Sequence, residues 1–406
     1  MSNAASGRER TRITCSTAAR ISRRYDERLW PNLLESASVA AKRPYVALDM
    51  HEAALRDPPR SPSEETPHQH EDRLARASAL AGCAPVPARW GNVLAGTAGW
   101  TDPTLAKSQR FYPKGASSPE QRLKFYASQF PVVEVNSTYY ALPATAMVAQ
   151  WVQRTAPDFV FNMKAFAPLT QHPVEPARLP ADVQRALPPA LLDRRRLYPG
   201  DLPAEARDVL WERFRQAVEP LRQARKLGYA LFQFPPWFTA TRGNVRVIED
   251  CRARMEGIPL AVELRHASWG EPDRIERVVD FLRDLDAFYV IVDEPQGKEN
   301  SMPPTPLVAD PRLAVVRFHG RRAETWGASV SVNEKFRYVY DPAELDPWAE
   351  TVARLSQEAE RVHAIFNNCV SDYAVLGAKG LMALLARRAE SPDRELAPEQ
   401  AASTVH

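Results

Sequence analysis

The sequence predicts a single (β/α)8 TIM-type barrel running from Gly96 to Leu385. Three observations predict it. Eight short runs rich in apolar residues alternate with amphipathic helical stretches, the pattern of a parallel α/β architecture. Most runs are dense in Val, Phe and Ile and lack internal proline, as strands buried on both faces should be. Polar residues recur two apart near the ends of several runs, which in a barrel strand places both on the inner face.

The eight runs are Val93 to Trp100, Val132 to Tyr139, Phe159 to Ala165, Tyr229 to Phe234, Leu260 to His266, Phe288 to Asp293, Ala314 to His319 and His363 to Asn368. The segments between them carry helix signals. Ser118, Pro119 and Gln121 supply an N-cap, a proline in the first turn and a capping-box partner ahead of the stripe Leu123, Tyr126, Ala127 and Phe130. Similar stripes run through Met147 to Val152, Val209 to Leu221, Ile275 to Leu282 and Leu345 to Leu355, and are read as core contacts. The connection from Glu294 to Pro311 is polar and Pro-rich without helical period and reads as a loop. Seven prolines fall between His172 and Pro203. On a barrel, so long a βα connection is the candidate lid.

Residues 1–90 differ in texture, being rich in Arg, Ala, Ser and Pro, and are read as a mostly disordered N-terminal arm with a transient helix near Leu33 to Lys42. Residues 91–386 form the barrel domain and 387–406 a C-terminal tail. His51, His68 and His70 of the arm read as solvated.

A net charge of +3 from 53 basic and 50 acidic residues is too even to call for nucleic acid or a membrane surface as partner. The four cysteines form no C-x-x-C pair, and no apolar stretch has the length of a membrane span or the form of a secretory leader. A reducing cytoplasmic setting is expected. Gly-rich phosphate loops, H-E-x-x-H and G-x-S-x-G are absent from the sequence, which removes the commonest nucleotide, zincin and hydrolase readings.

The paired inward positions are Glu134 with Asn136, Asn162 with Lys164, Glu263 with Arg265 and Arg317 with His319. Gln233, Asp293, Asn367 and Asn368 end other strands, and Trp100 offers an aromatic wall. Burying so many ionisable groups costs several kcal/mol each unless they are paired. They therefore form either a functional pocket or a salt-bridge lattice in which Glu263 pairs with Arg317 and Glu134 with Lys164. As chemistry, Glu134 and Glu263 are candidate general acid/base groups and His319 a candidate proton shuttle. Lys164 is an electrostatic anchor or, as a second role, a Schiff-base nucleophile. Arg265 and Arg317 suit a carboxylate or phosphate. No cofactor is expected, the alternative being a divalent metal on Glu134, Glu263, Asp293 and His319. His172 and His266 are ordinary strand-end and loop histidines in this reading, and the aromatic residues around Tyr139 and Trp237 either stack a ring or close the barrel rim.

The ordered motifs Gly-Thr-Ala-Gly-Trp (96–100), Val-Glu-Val-Asn-Ser-Thr-Tyr-Tyr (133–140), Phe-Asn-Met-Lys-Ala (161–165), Phe-Gln-Phe-Pro-Pro (232–236), Val-Glu-Leu-Arg-His-Ala-Ser-Trp (262–269), Val-Arg-Phe-His-Gly-Arg (316–321) and Phe-Asn-Asn (366–368) resemble the YecE-like family of domain of unknown function 72. The resemblance implies a TIM barrel and no particular reaction. It places Glu134, Asn136, Tyr139, Lys164, Gln233, Glu263, Arg265, Trp269, Arg317, His319, Gly320, Arg321, Asn367 and Asn368 at motif positions. The functional expectation is an enzyme, a hydrolase, lyase or isomerase, using metal-independent acid/base chemistry on a small polar, anionic or sugar-like substrate. A metal-dependent isomerase or phosphodiesterase is one alternative, resting on fold analogy alone. A ligand-binding protein without chemistry is the other.

Overall fold

The computed structural model describes residues 65–390, residue 329 aside. Eight parallel strands close on themselves: β2 (Val93–Thr97), β3 (Val132–Val135), β4 (Val160–Lys164), β5 (Leu227–Gln233), β6 (Leu260–Glu263), β7 (Phe288–Asp293), β8 (Ala314–Phe318) and β9 (Val362–Phe366) pair in order. β2 completes the ring by pairing with β9 from Val93↔Val362 to Thr97↔Phe366. This is the expected (β/α)8 barrel. An additional short strand, β1 (Arg89–Trp90), lies antiparallel to β2 outside the ring.

Several runs leave strand geometry before their polar ends, as Asn136–Tyr139 does by turning into a 3-10 helix. The helix expected after Ser118 spans Pro119–Gln129, with Ser118 Oγ accepting from Gln121 N at 3.1 Å and Gln121 Oε1 accepting from Ser118 N at 3.0 Å. No helix interrupts the connection between β7 and β8.

Outward side chains such as Phe161, Phe232 and Phe318 merge with the helical ring into one large core. A separate small cluster of Leu94, Ala98, Val132, Val160 and Ile365 belongs to the inner face, in phase with Glu134, Asn162 and Asn367. The barrel interior thus has apolar and polar layers. Asn162, Tyr229 and His363 are polar within it, and the amide of Asn162 and both ring nitrogens of His363 find no hydrogen-bond partner among the described residues. Burial drives the pKa of His363 down to about 3, so its ring is neutral.

The pairing of β4 with β5 slips between Phe161 and Met163, and Gly228 sits at this irregularity. A Cβ there would lie 2.2 Å from Asn162 Oδ1 and 2.9 Å from Val160 Cγ1. Gly228→Ala is therefore expected to overpack the interior and cost about 1–3 kcal/mol. Urea denaturation that returns a wild-type midpoint would contradict this.

Two boundaries differ from the sequence reading. Residues up to 90 were expected to lie outside the folded domain, yet Pro67–Ala81 is a helix with a Thr66–Gln69 capping box that packs on the helix Tyr373–Glu390. Its low mean hydropathy conceals it, because only Ala77, Leu80 and Ala81 are buried and Arg73 and Arg76 dock through Glu344 and Asp341. His70 is tethered rather than fully solvated, its Nε2 lying 3.2 Å from the Tyr373 hydroxyl. At the other end, Tyr373–Glu390 continues past the expected barrel limit at 386. The helix expected near Leu33 to Lys42 and His51 lie outside the described residues.

The candidate lid, residues 172–203, is a succession of short turns, Pro176–Arg178, Ala181–Ala186, Pro189–Leu192 and Pro199–Asp201, fastened by a bridge between Val174 and Leu197. It contacts the helix Ala204–Gln223 through Ala181–Ala186, and its His172 and Arg178 reach the Tyr139 and Tyr140 rings just beyond β3. None of the described helices is long and apolar enough to cross a membrane.

Candidate functional site

The inward alternation of β3, β6 and β8 delivers Glu134, Glu263 and Arg317 to one point, each fully buried. Arg317 Nη2 donates to Glu134 Oε1 at 2.6 Å, and Nη1 donates to Glu263 Oε2 and, at 3.2 Å, to Gln233 Oε1. Arg265 Nε donates to Glu263 Oε1 at 2.5 Å while its Nη1 reaches Glu294 Oε2 at 2.7 Å. Glu263 thus bridges two guanidinium groups. Burial is the largest influence on the Glu263 carboxyl and would raise its pKa, but Arg265, Arg317 and His319 together hold it well below the usual carboxylate range. Burial likewise opposes the charge on Arg317, and Glu134 and Glu263 outweigh it.

His319 closes the other side of this lattice. Burial and then Arg265 push its pKa well below the ordinary imidazole value, leaving it neutral. Its Nδ1 lies 3.0 Å from Asn367 Nδ2, and its Nε2 lies 3.1 Å from Arg265 Nη2 and 3.4 Å from Glu263 Oε1. Asn136 Nδ2 donates to Asn367 Oδ1 at 2.8 Å, extending the network to the next strand end.

Above the lattice, at the C-terminal ends of the strands, lies a cavity of about 310 Å³. Asn136, Tyr139, Lys164, Gln233 and Asn367 of the sequence-derived set line it, together with Ala98, Asp102, Tyr140, Asn333, Lys335, Phe336 and Cys369. Larger clefts of about 490 and 480 Å³ lie among outer helices, beside Trp211 and Cys251 in one case and Leu142 and Arg213 in the other. Position decides between them, because TIM-barrel sites sit at the C-terminal face of the strands.

Lys164 is the titratable member of the expected catalytic set on the cavity wall. Its Nζ donates to Gln233 Oε1 at 3.0 Å and lies 4.7 Å above the Tyr139 ring. It does not pair with Glu134, whose carboxylate is taken by Arg317. Burial, followed by the charge of Arg317, lowers its pKa to about 7, and Glu263 and Glu134 only partly offset this.

Besides Arg265 and Arg317 in the lattice, five residues expected at the wall stand elsewhere. Trp100 faces the helix layer, edge-on to Trp151 at 5.3 Å and Phe161 at 6.3 Å. Trp269 is fully buried against Phe238, to whose carbonyl its Nε1 donates at 2.6 Å. Asp293 pairs in register with outward-facing Phe318 and accepts from Arg321 at 2.8 Å, Tyr340 at 2.5 Å and Trp348 at 3.1 Å. Asp293 and Arg321 therefore fasten the loop after β8 rather than line the cavity. Asn368 does related work, donating to the Tyr338 carbonyl at 2.8 Å. His266 caps the turn Ala267–Trp269, and His172 packs edge-on to Tyr139 at 5.2 Å and Trp237 at 5.9 Å.

The metal set proposed from sequence is not assembled, since Asp293 faces away and Glu134 and Glu263 already accept from Arg317. Sequence reasoning missed Glu294, the inward neighbour of Asp293, and the segment 333–336 that walls the cavity. Counting alternation from Arg317, which pairs in register with Val292, would have found Glu294.

Glu294 carries a pH signature. Burial, opposed by Arg265, raises its pKa to about 7. A carboxyl raised in the fold contributes stability that is present at low pH and lost as pH rises through the folded value. Stability is thus expected to fall between about pH 4.5 and 7 by an amount on the order of 2 kcal/mol, and Glu294→Gln to flatten that slope. Denaturation midpoints at pH 5 and 7.5 that respond identically in both proteins would disprove it.

A closed eight-stranded parallel barrel whose strand ends converge on a buried charge lattice and a polar cavity defines a TIM-barrel protein with its candidate site at the loop face. The chain belongs to the DUF72 family, described as protein of unknown function, whose model matches residues 94–402. It is similar to UPF0759 protein YunF of Bacillus subtilis (strain 168), with 29% identity over 294 residues that cover 71% of this chain and 93% of that one. Crystal structures of DUF72 family proteins from Enterococcus faecalis and Thermotoga maritima are 28% and 29% identical, with TM-scores of 0.59 and 0.56. The first alignment covers 72% of this chain and 95% of that one, the second 73% and 99%.

Proposed function

We propose that the protein is an enzyme that carries out metal-independent acid/base chemistry on a small polar substrate, anionic or sugar-like, with Lys164 as its proton-transfer group. One observation carries this reading. The Lys164 amine opens on the cavity with a pKa of about 7, so that both its protonated and neutral forms are populated at neutral pH. Asn136, Gln233 and Asn367 offer hydrogen bonds to hydroxyl or carbonyl groups, and Lys335 supplies a cation for an anionic substituent. Glu134, Glu263, Arg265, Arg317 and His319 act beneath the cavity as positioning residues, holding Gln233 and Asn367 in place and setting the field at Lys164.

The free thiols Cys83, Cys251 and Cys369 support a reducing cytoplasmic setting. A thermal-shift screen of polar metabolites, with product analysis of every stabilising compound, tests the functional reading. Consumption of a stabilising compound is the expected result. Tight retention of each compound without product would establish the ligand-binding alternative instead, and activity that tracks an added divalent ion would establish the metal-dependent one.

A further inference from the structure

Two lysines of this barrel, Lys226 buried and Lys164 partly buried, are held in contrasting ways. Lys226 Nζ donates to Val152 O at 2.9 Å, Thr155 O at 2.8 Å and Thr155 Oγ1 at 2.9 Å, which uses all three of its protons. That is a structural lysine. Lys164 Nζ has Gln233 Oε1 as its hydrogen-bond acceptor and the Tyr139 ring beside it, and its remaining directions face the cavity. Among the described residues, it takes part in no ion pair within 4 Å.

Gln233 Oε1 also accepts from Arg317 Nη1 at 3.2 Å, so the acceptor that holds the amine is itself tied to a fixed cation. The amine is thereby positioned from below and open from above. Lys335 lines the same cavity, its Nζ 4.4 Å from the centre of the Trp326 ring. A nucleophile and a cation on the lining of one small cavity match a small molecule that carries both a carbonyl and an anionic group.

We propose that Lys164 is a covalent nucleophile that forms an imine with a small aldehyde or ketone whose carboxylate or phosphate group is held by Lys335. The inference rests on the cavity's being a substrate site, as proposed above, and adds a covalent step and a substrate class. The nitrogen lone pair of the neutral amine attacks the carbonyl carbon, and the π pair moves to oxygen, which takes up a proton given up by the attacking nitrogen. The carbinolamine loses that oxygen as water, with one further proton drawn from cavity solvent and one N–H proton released. Amine and carbonyl compound thus yield imine and water with no change in oxidation state. Burial beside Arg317, which keeps a fraction of the amine neutral near pH 7, favours the attack.

The test is reductive trapping on the full-length protein. Glyoxylate, an aldehyde bearing a carboxylate, is added at pH 7 with sodium cyanoborohydride, and labelled lysines are mapped by mass spectrometry of peptides. Lys164 is expected to label at least about tenfold faster than the mean of the exposed lysines. Lys335→Met is expected to slow trapping of glyoxylate at Lys164 and leave trapping of uncharged glycolaldehyde unchanged. Labelling of exposed lysines with none at Lys164 overturns the nucleophile. Equal trapping of both aldehydes in Lys335→Met and wild type overturns the anion-binding role. If Lys164 resists trapping while a metabolite is still turned over, the acid/base reading survives and the imine does not.

Discussion

Replacement of Arg317 by methionine is expected to lower the free energy of unfolding by about 3–5 kcal/mol, the cost of removing one partner from a buried ion pair. Arg317 is fully buried and pairs with both Glu134 and Glu263. Without it, Glu134 loses its ion-pair partner among the described residues and Glu263 keeps Arg265 alone of its two arginines. The loss comes chiefly from stranded carboxylates, so adding Glu134→Gln to the Arg317→Met protein should recover part of it. Guanidinium denaturation of the wild-type, single and double variants measures both effects. A loss under about 1 kcal/mol would mean that water reaches the lattice and that the barrel interior screens charge far better than its burial implies.

Lys164→Met is expected to reduce turnover of whichever metabolite the screen identifies by about 10²–10⁴-fold, the range for loss of a positioned proton-transfer group. The fold should survive. A lysine whose pKa is lowered in the fold weakens the native state as pH falls from the unfolded value of 10.5 through about 7, so the methionine variant should be at least as stable as wild type at pH 7. Used as a base, Lys164 works as the neutral amine, so activity should rise with pH through about 7. Lys164→Arg, which keeps the charge but titrates too high to serve as a base, should be as impaired as the methionine variant. Full turnover in a correctly folded Lys164→Met protein would remove Lys164 from the chemistry.

The site was legible in sequence to the extent that strand alternation is. The polar residues at i and i+2 on β3, β4, β6 and β8 meet inside the barrel because a strand repeats every two residues whatever its partners. Alternation could not say which pairs form. Glu134 finds Arg317 across the barrel rather than Lys164 on the adjacent strand, and Lys164 is left to the cavity. Alternation also failed where its phase was assigned without a reference, at Asp293, whose outward carboxylate serves Trp348 and Tyr340 while Glu294 turns inward to Arg265. Depth was equally invisible. Glu263 and His319 share the inner face with Lys164 but lie beneath the cavity, where burial and the neighbouring arginines keep one charged and the other neutral.

By itself, the sequence determined the barrel, the eight strands in order and the residue types that face inward, because these follow from periodicity and from short-range caps and turns. Tertiary structure alone decided that Lys335 and Phe336 would wall the cavity, that Pro67–Ala81 would pack on the last helix, and that Lys164 would meet Gln233 rather than a carboxylate. These outcomes depend on contacts between residues distant in the chain and on the desolvation of charge that closure of the barrel imposes, and neither is a property of any local stretch of sequence.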